Sequence, residues 1–404
     1  MRHRGPAAAL TAVLVAALLT SGAAQAQDDG FYTPPSPLPA GRGGDVIRHE
    51  KMDFYLDKDK KEKVPGSAQR VMYRSSDAHG QPVAVTGVVL TPSRPWTGPG
   101  ERPLVAWASG TQGLADQCAP SRKANDGTDL EAKNIAKLME RGYGVALTDY
   151  QGLGTPGNHT YVIRAAEGHA VLDSARAAQR LREAGLPEHG PVAIAGYSQG
   201  GGASAAAAEL AGEYAADLDI KGAYAGAPPA DLDAAARHLD GTYAMALVGY
   251  AIVGLEAADP RVNLQPALNE KGKKFFAEIV RQCAKDSIRK YAFQRSKNYT
   301  IDGRPVADYM TEEPWLSVLN DQRLGNRRPP VPTLVMHSRL DDMVAYQQGR
   351  QMARDWCALG ATVQFRTMIT PTHVLGKKAA TPYAFDWLQD RFEGKPPRSN
   401  CGDF

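Results

Sequence analysis

Short apolar runs, each bounded by glycine, proline or polar residues, recur along the chain and predict strands at Gln69–Ser75, Pro82–Thr91, Pro103–Ser109, Gly144–Asp149, Pro191–Tyr197, Ile220–Gly226, Pro332–His337 and Val363–Ile369. The first two, separated by the turn-like stretch 77–81, read as a β-hairpin. Between the later strands, helical stretches are expected at Leu130–Arg141, Tyr346–Leu359 and Tyr383–Phe392, and apolar residues spaced three and four apart predict a helix at Ala166–Ala184. A small-residue helix follows Ser198, over Gly201–Ala208. Strands alternating with helices in this way predict an α/β fold with a mostly parallel, doubly wound sheet. The alternation stops between about Ala227 and Arg328, where a largely helical stretch holds the apolar run Thr242–Leu255. We expect residues 227–328 to form a helical cap or lid inserted between core segments 27–226 and 329–404. Within the first segment, residues 27–66 read as an extended lead-in, Pro- and Gly-rich over 28–45, rather than as core.

Composition changes this picture little. The 404 residues carry a formal net charge of +3 and no long charged blocks, which gives no reason to expect a nucleic-acid partner. The first residues matter more. A basic start (Arg2, His3, Arg4), an apolar run from Ala7 to Leu19 and Ala24-Gln25-Ala26 have the pattern of a secretory signal peptide over residues 1–26, cut before Gln27. The apolar run is too short to span a bilayer. Export makes the four cysteines, Cys118, Cys283, Cys357 and Cys401, candidates for two disulfides, with three pairings open from the residues alone. Their wide spacing, without C-x-x-C, argues against a metal site. Two N-glycosylation sequons, at Asn158 and Asn298, matter only in a glycosylating host.

The candidate chemistry centres on Gly196-Tyr-Ser-Gln-Gly200, a Gly-x-Ser-x-Gly turn between an apolar strand and a helix of small residues. That context presents Ser198 as a nucleophile at a strand's carboxyl end, beside the positive end of the next helix; a turn that merely carries a serine is the bland alternative. A serine hydroxyl needs a base held by a carboxylate, and in hydrolases built on this turn the order is Ser, acid, His. The loop after Pro332–His337 supplies Asp341, in a small-x-x-Asp-x-x-Val spacing, with Asp342 one residue out of place. His373 is the single histidine beyond Asp341, just past a predicted strand; His337 sits inside a strand and His238 in the cap. For the oxyanion, the expected donors are the Gln199 backbone N–H and a second amide from Ser109-Gly110-Thr111, with Gly110 and Thr111 both open.

With these residues placed, the chain resembles the secretory lipase family of the α/β-hydrolase superfamily, lipase A type. The resemblance spans nearly the whole mature chain. It rests on Phe31-Tyr-Thr-Pro-Pro35, Thr86-Gly-Val-Val-Leu90, Gly113-Leu-Ala-Asp-Gln-Cys-Ala-Pro-Ser121, Asp149-Tyr-Gln-Gly-Leu-Gly-Thr155, Gly196-Tyr-Ser-Gln-Gly-Gly201 and Asp341-Asp-Met-Val344. It implies the α/β-hydrolase fold, a helical cap holding the acyl chain, the triad Ser198, Asp341 and His373, and disulfides pairing Cys118 with Cys283 and Cys357 with Cys401. Ser109 departs from the pattern, since many bacterial relatives carry histidine there.

The expectation is therefore an exported, monomeric serine hydrolase that cleaves acylglycerols or related lipid esters, in contact with a lipid–water interface, and that needs no cofactor or metal. The rivals are a serine peptidase or acyltransferase on the same fold and, further off, a non-catalytic binding protein.

Overall fold

The computed structural model describes residue 1 and residues 30–404; the expected leader peptide, but for its first residue, lies outside the described residues. Among the described residues, nine strands make one sheet: β1 (Val46–Met52), β2 (Gly66–Ser76), β3 (Pro82–Pro92), β4 (Leu104–Ala108), β5 (Gly144–Thr148), β6 (Val192–Tyr197), β7 (Ile220–Gly226), β8 (Thr333–Ser338) and β9 (Val363–Met368). Their order across the sheet is β1-β2-β3-β5-β4-β6-β7-β8-β9. The strands from β1 to β3 are antiparallel, as is the β3–β5 pair; from β5 to β9 every pairing is parallel. The β2–β3 turn closes because Asp77 Oδ1 accepts the amides of His79 and Gln81, each at 2.8 Å, an Asx-type substitute for a backbone turn. Strands β4, β5 and β6 are buried along their whole length, as expected of parallel strands covered on both faces.

Among the described residues, twelve α-helices accompany the sheet: α1 (Pro120–Asn125), α2 (Ala132–Glu140), α3 (Arg164–Arg180), α4 (Gln199–Tyr214), α5 (Leu232–Leu239), α6 (Ala246–Ala258), α7 (Glu270–Ile279), α8 (Ala284–Tyr291), α9 (Val306–Tyr309), α10 (Trp315–Gln322), α11 (Tyr346–Ala358) and α12 (His373–Phe392). On one face of the sheet, alanines of α3 and α4 pack on Val71, Val85, Val192 and Ile194, while Met352, Ala353 and Trp356 of α11 cover β8 and β9. Small residues let α3 and α4 approach closely: a Cβ on Gly168 would meet Leu210 Cδ1 at 2.7 Å. The opposite face is covered by Ile135 and Leu138 of α2 and by Phe385, Trp387 and Leu388 of α12. Between β7 and β8 come α5 to α10, which bury a hydrophobic cluster of their own that also takes in Leu114, Tyr161 and Ile163.

Two expectations need correction. Residues read as a lead-in are partly core: Phe31 and Tyr32 are buried against Met72 and Ala84, Tyr32 pairs its hydroxyl with Ser121 Oγ at 2.9 Å, and β1 pairs with β2. The proline-rich composition hid these anchors. The last helix begins at His373, ten residues before the expected start at Tyr383. Pro382 reads as a break in the sequence, yet it lies inside α12, where Gly376, Ala380, Thr381 and Ala384 are buried on either side of it. Tertiary packing carries the helix through the residue that local propensity would use to end it.

Two disulfides join Cys118 to Cys283 and Cys357 to Cys401, the pairing that the resemblance implies. The first ties the segment after β4 to the start of α8, and the amides of Leu114 and Ala284 reinforce it by bonding to the carbonyls of Gln282 and Gln112.

Candidate active site

The strand β6 ends at Tyr197, and Ser198 caps α4 with φ +63°. This left-handed conformation is costly for any residue with a Cβ and is tolerated where the surroundings impose it. The flanking glycines are required sterically. A Cβ on Gly196 would lie 2.3 Å from Gly200 O, and one on Gly200 would lie 2.0 Å from Ala108 O. Ser198 N–H donates to Gly226 O at 2.9 Å, and its own carbonyl accepts Gly202 N–H at 3.0 Å. The turn is thus pinned between β7 and the first turn of α4.

Asp341 and His373 come from the loops after β8 and β9. Asp341 is buried; its Oδ1 accepts the amides of Met343 (3.0 Å) and Val344 (2.8 Å), and its Oδ2 lies 2.8 Å from His373 Nδ1. Burial works against the charged form of Asp341, but the N–H groups of His337 and His373 and the amide of Val344 outweigh it and hold the carboxyl well below the usual carboxylate range. An ionised carboxylate can only accept, so Nδ1 of His373 is the donor, and in the neutral ring the lone pair falls on Nε2. Nε2 is buried and makes no hydrogen bond among the described residues, Ser198 Oγ included. Catalytic hydrogen bonds of this type often tighten only when substrate is present. His337 Nε2 donates to Val344 O at 2.9 Å and stands 3.6 Å from Asp341 Oδ2, an electrostatic contact rather than a hydrogen bond. Asp342 Oδ1 accepts the backbone N–H of His373 at 2.8 Å. One aspartate therefore holds the ring and its neighbour holds the backbone. His238 lies exposed on α5.

The two expected oxyanion segments differ in their free donors. Gln199 N–H is the first amide of α4 and has no intrahelical acceptor. Gly110 N–H is engaged by Glu131 Oε1 at 3.3 Å, whereas Thr111 N–H makes no hydrogen bond among the described residues. Thr111 Oγ1 pairs with the Tyr161 hydroxyl at 2.8 Å, and Tyr150 OH donates to Ser109 O at 2.8 Å. Ser109 is itself buried.

Several groups here were missed by the sequence reading. Glu131 Oε1 also takes Lys377 Nζ at 2.6 Å, joining the Gly110 loop to the helix that starts at His373. The Gln199 side chain donates to Glu167 Oε1 at 2.7 Å and lies 3.1 Å from His159 Nε2. His159 Nδ1 faces Gln151 O at 3.0 Å, so Nδ1 carries the proton and Nε2 accepts from Gln199. Burial lowers the His159 pKa to about 4 and raises that of Glu167 to about 8, so both favour their neutral forms. None of these partners has a short-range motif; only the fold makes them neighbours.

Ser198 and Gln199 open on a narrow cavity of about 40 Å³ with mainly apolar walls, among them Leu232, Leu247, Val248 and Ala251 from α5 and α6 and Met343 and Val344 from the Asp341 loop. The run Thr242–Leu255 thus contributes both to this wall and to the buried cluster of the inserted helices.

An elbow serine over a mostly parallel sheet, with an Asp–His pair just past β8 and β9, defines the α/β-hydrolase class. Within that class, the model of the secretory lipase family matches residues 120–400, and the chain belongs to this family. It is 28% identical over 379 residues to a probable inactive lipase of Mycobacterium tuberculosis (strain CDC 1551 / Oshkosh), covering 91% of this chain and 83% of that protein. It is 26% identical over 396 residues to a secreted triacylglycerol lipase of Malassezia globosa (strain ATCC MYA-4612 / CBS 7966), covering 93% and 81%. In fold it is similar to the X-ray structure of Candida antarctica lipase A in its closed state (TM-score 0.81, 24% identity, 93% and 88% of the two chains). It is also similar to the rice cell wall degrading esterase LipA from Xanthomonas oryzae (TM-score 0.71, 22% identity, 87% and 100%).

Proposed function

We propose that the protein is an exported carboxylic-ester hydrolase acting on acylglycerols or related lipid esters through an acyl-enzyme on Ser198. The observation that carries this reading is the Asp341–His373 pair at 2.8 Å. It fixes the tautomer whose Nε2 can take the serine proton, and the elbow serine opens on an apolar cavity. His373 Nε2 accepts the proton of Ser198 as Oγ attacks the ester carbonyl, and Asp341 stabilises the imidazolium. Gln199 N–H and Thr111 N–H receive the oxyanion, since Gly110 N–H is occupied by Glu131. The tetrahedral intermediate collapses, His373 hands its proton to the departing alcohol, and a water activated by His373 then releases the acid.

Helices α5 to α10 act as the cap, with α5 and α6 walling the acyl chain. Residues 1–26 direct export, in keeping with the two disulfides, and the protein works as a monomer. The M. tuberculosis relative bears the name of an inactive lipase; the presence here of a serine, a paired histidine and its carboxylate favours activity. The test is a chain-length series of p-nitrophenyl esters, an emulsified triglyceride and matched aminoacyl anilides, assayed on wild type and Ser198→Ala. Ester turnover lost in Ser198→Ala is expected. Anilide cleavage without ester cleavage would overturn the reading in favour of a peptidase, and unlabelled Ser198 after fluorophosphonate treatment in favour of a binding protein.

A further inference from the structure

Polar side chains taken out of water carry a cost that an apolar core avoids, so a satisfied cluster of them beside a reactive group needs a reason. Gln199, the residue after the elbow serine, is 2% exposed and bonds to Glu167 and His159, which are 2% and 1% exposed. His159 sets the arrangement. Its Nδ1 faces the Gln151 carbonyl at 3.0 Å and donates there, which leaves the lone pair on Nε2. The Gln199 atom 3.1 Å from that lone pair is therefore the amide nitrogen, whose other hydrogen goes to Glu167 Oε1 at 2.7 Å. Both donors of the Gln199 amide are spent, and the side chain has one orientation.

Glu167 Oε1 also accepts the backbone N–H of Val162 at 2.9 Å. Val162 has φ +57°, an outlier for a β-branched residue. One carboxyl oxygen thus joins two strained backbone positions, Val162 directly and Ser198 (φ +63°) through its neighbour Gln199. Val162, Ser198 and Gln199 all border the same cavity. Strain of this kind persists where the surroundings impose it, and it gathers at sites that must be held ready. The second arm of the proposed oxyanion site meets the same cluster. The His159 ring lies 5.8 Å, centre to centre, from the rings of Tyr150 and of Tyr161, whose hydroxyls reach Ser109 O and Thr111 Oγ1, each at 2.8 Å.

We infer that Glu167 and His159 are positioning residues for oxyanion stabilisation, clamping the Gln199 side chain so that its backbone N–H keeps a fixed aim at the ester oxygen. Both act through Gln199. The inference rests on the ester-hydrolase reading. A donor held loosely weakens binding of the transition state more than binding of the ester, so kcat carries the effect.

The experiment measures kcat and KM for p-nitrophenyl butyrate, and inhibition by an alkyl trifluoromethyl ketone, on the full mature chain. Rates are expressed per serine titrated to completion with a fluorophosphonate. His159→Phe and Glu167→Leu should each lower kcat by roughly tenfold or more with KM unchanged. The ketone, which forms a tetrahedral oxyanion on the serine, should bind more weakly by the same factor. Glu167→Gln keeps an acceptor for Gln199 and for Val162 and should recover most of the loss. Adding His159→Phe to Gln199→Met should cost little beyond Gln199→Met alone, since the effect passes through that side chain. If Glu167→Leu does not fold, the other three variants decide. Unchanged kcat per titrated serine would reduce the cluster to a folding element and overturn the inference. So would a rise in KM alone, a Glu167→Gln variant as impaired as Glu167→Leu, or losses that multiply in the double variant. Turnover that survives in Ser198→Ala would overturn the ester-hydrolase reading and this inference with it, whereas turnover that needs Ser198 and ignores the cluster overturns the inference alone.

Discussion

The Tyr197 hydroxyl donates to the carbonyl oxygen of His373 at 3.0 Å, and the two rings lie 4.9 Å apart, centre to centre. The residue before the elbow serine thereby holds the backbone of the proposed base, and a Cβ on Gly376 would come within 2.6 Å of the same hydroxyl. Tyr197→Phe keeps the ring and removes the bond. We expect kcat for a soluble ester to fall by roughly tenfold with KM unchanged, in line with the loss of one buried hydrogen bond. An unchanged kcat would show that Asp341 and Asp342 suffice to place His373.

The two adjacent aspartates should separate cleanly. Asp341→Asn removes the acceptor that fixes the His373 tautomer and should cut kcat by about 10⁴-fold, the scale seen when a triad acid is made neutral. Asp342→Ala removes only the acceptor of His373 N–H and should cost about tenfold. The reverse order would move the acid to Asp342.

Glu131 holds Gly110 N–H and Lys377 Nζ together. In Glu131→Ala the Gly110 loop loses its anchor and Lys377 its partner. A drop in kcat of roughly ten- to a hundredfold is expected, bounded by the effect of losing one oxyanion donor outright. KM should stay put, and Glu131→Gln, which keeps an acceptor for Gly110, should restore part of the loss. A rise in KM alone would mean that the pair serves substrate binding.

Glu167 carries a pH prediction. Burial raises its pKa to about 8 in the folded protein, against about 4.3 in an unfolded chain. Between these values the folded state binds more protons than the unfolded one, so stability falls as pH rises from about 4.3 to about 8 and levels off above. A shift of that size is worth on the order of a few kcal/mol. Glu167→Gln keeps an acceptor for Gln199 and for Val162 N–H and has no proton to lose. Its Tm should decline less than that of wild type across this window, measured by thermal unfolding at several pH values. Parallel curves would sink the assignment.

The Cys118–Cys283 bond closes a separation of 165 residues, a constraint worth on the order of 4–5 kcal/mol in the chain-entropy view. Replacing both cysteines by serine should lower Tm markedly. It should also weaken turnover, because the bond fastens α8 to the segment that follows the Gly110–Thr111 loop. Loss of stability with kcat unaffected would restrict its part to folding.

How much of this was legible in the residues follows from the range of the forces involved. The β-α alternation, the elbow at Ser198 and the order of Ser198, Asp341 and His373 are local signals: periodicity, glycine tolerance and spacing write them into short stretches. That Gly110 N–H is engaged and Thr111 N–H is not could not be read there, because it depends on Glu131 reaching across to Gly110 from the segment before α2. The buried pair of Phe31 and Tyr32 and the early start of α12 went against composition and against Pro382, and packing prevailed at both places.

By itself, then, the sequence determined the class of fold and singled out the candidate nucleophile and its candidate partners, because each is encoded within a few residues of itself. Tertiary structure alone decided that Gly110 N–H is engaged while Thr111 N–H is not, how Tyr197 and Asp342 grip His373, and why Glu167 and His159 favour their neutral forms. These depend on desolvation and on contacts across many tens to hundreds of residues, and neither exists until the chain has folded.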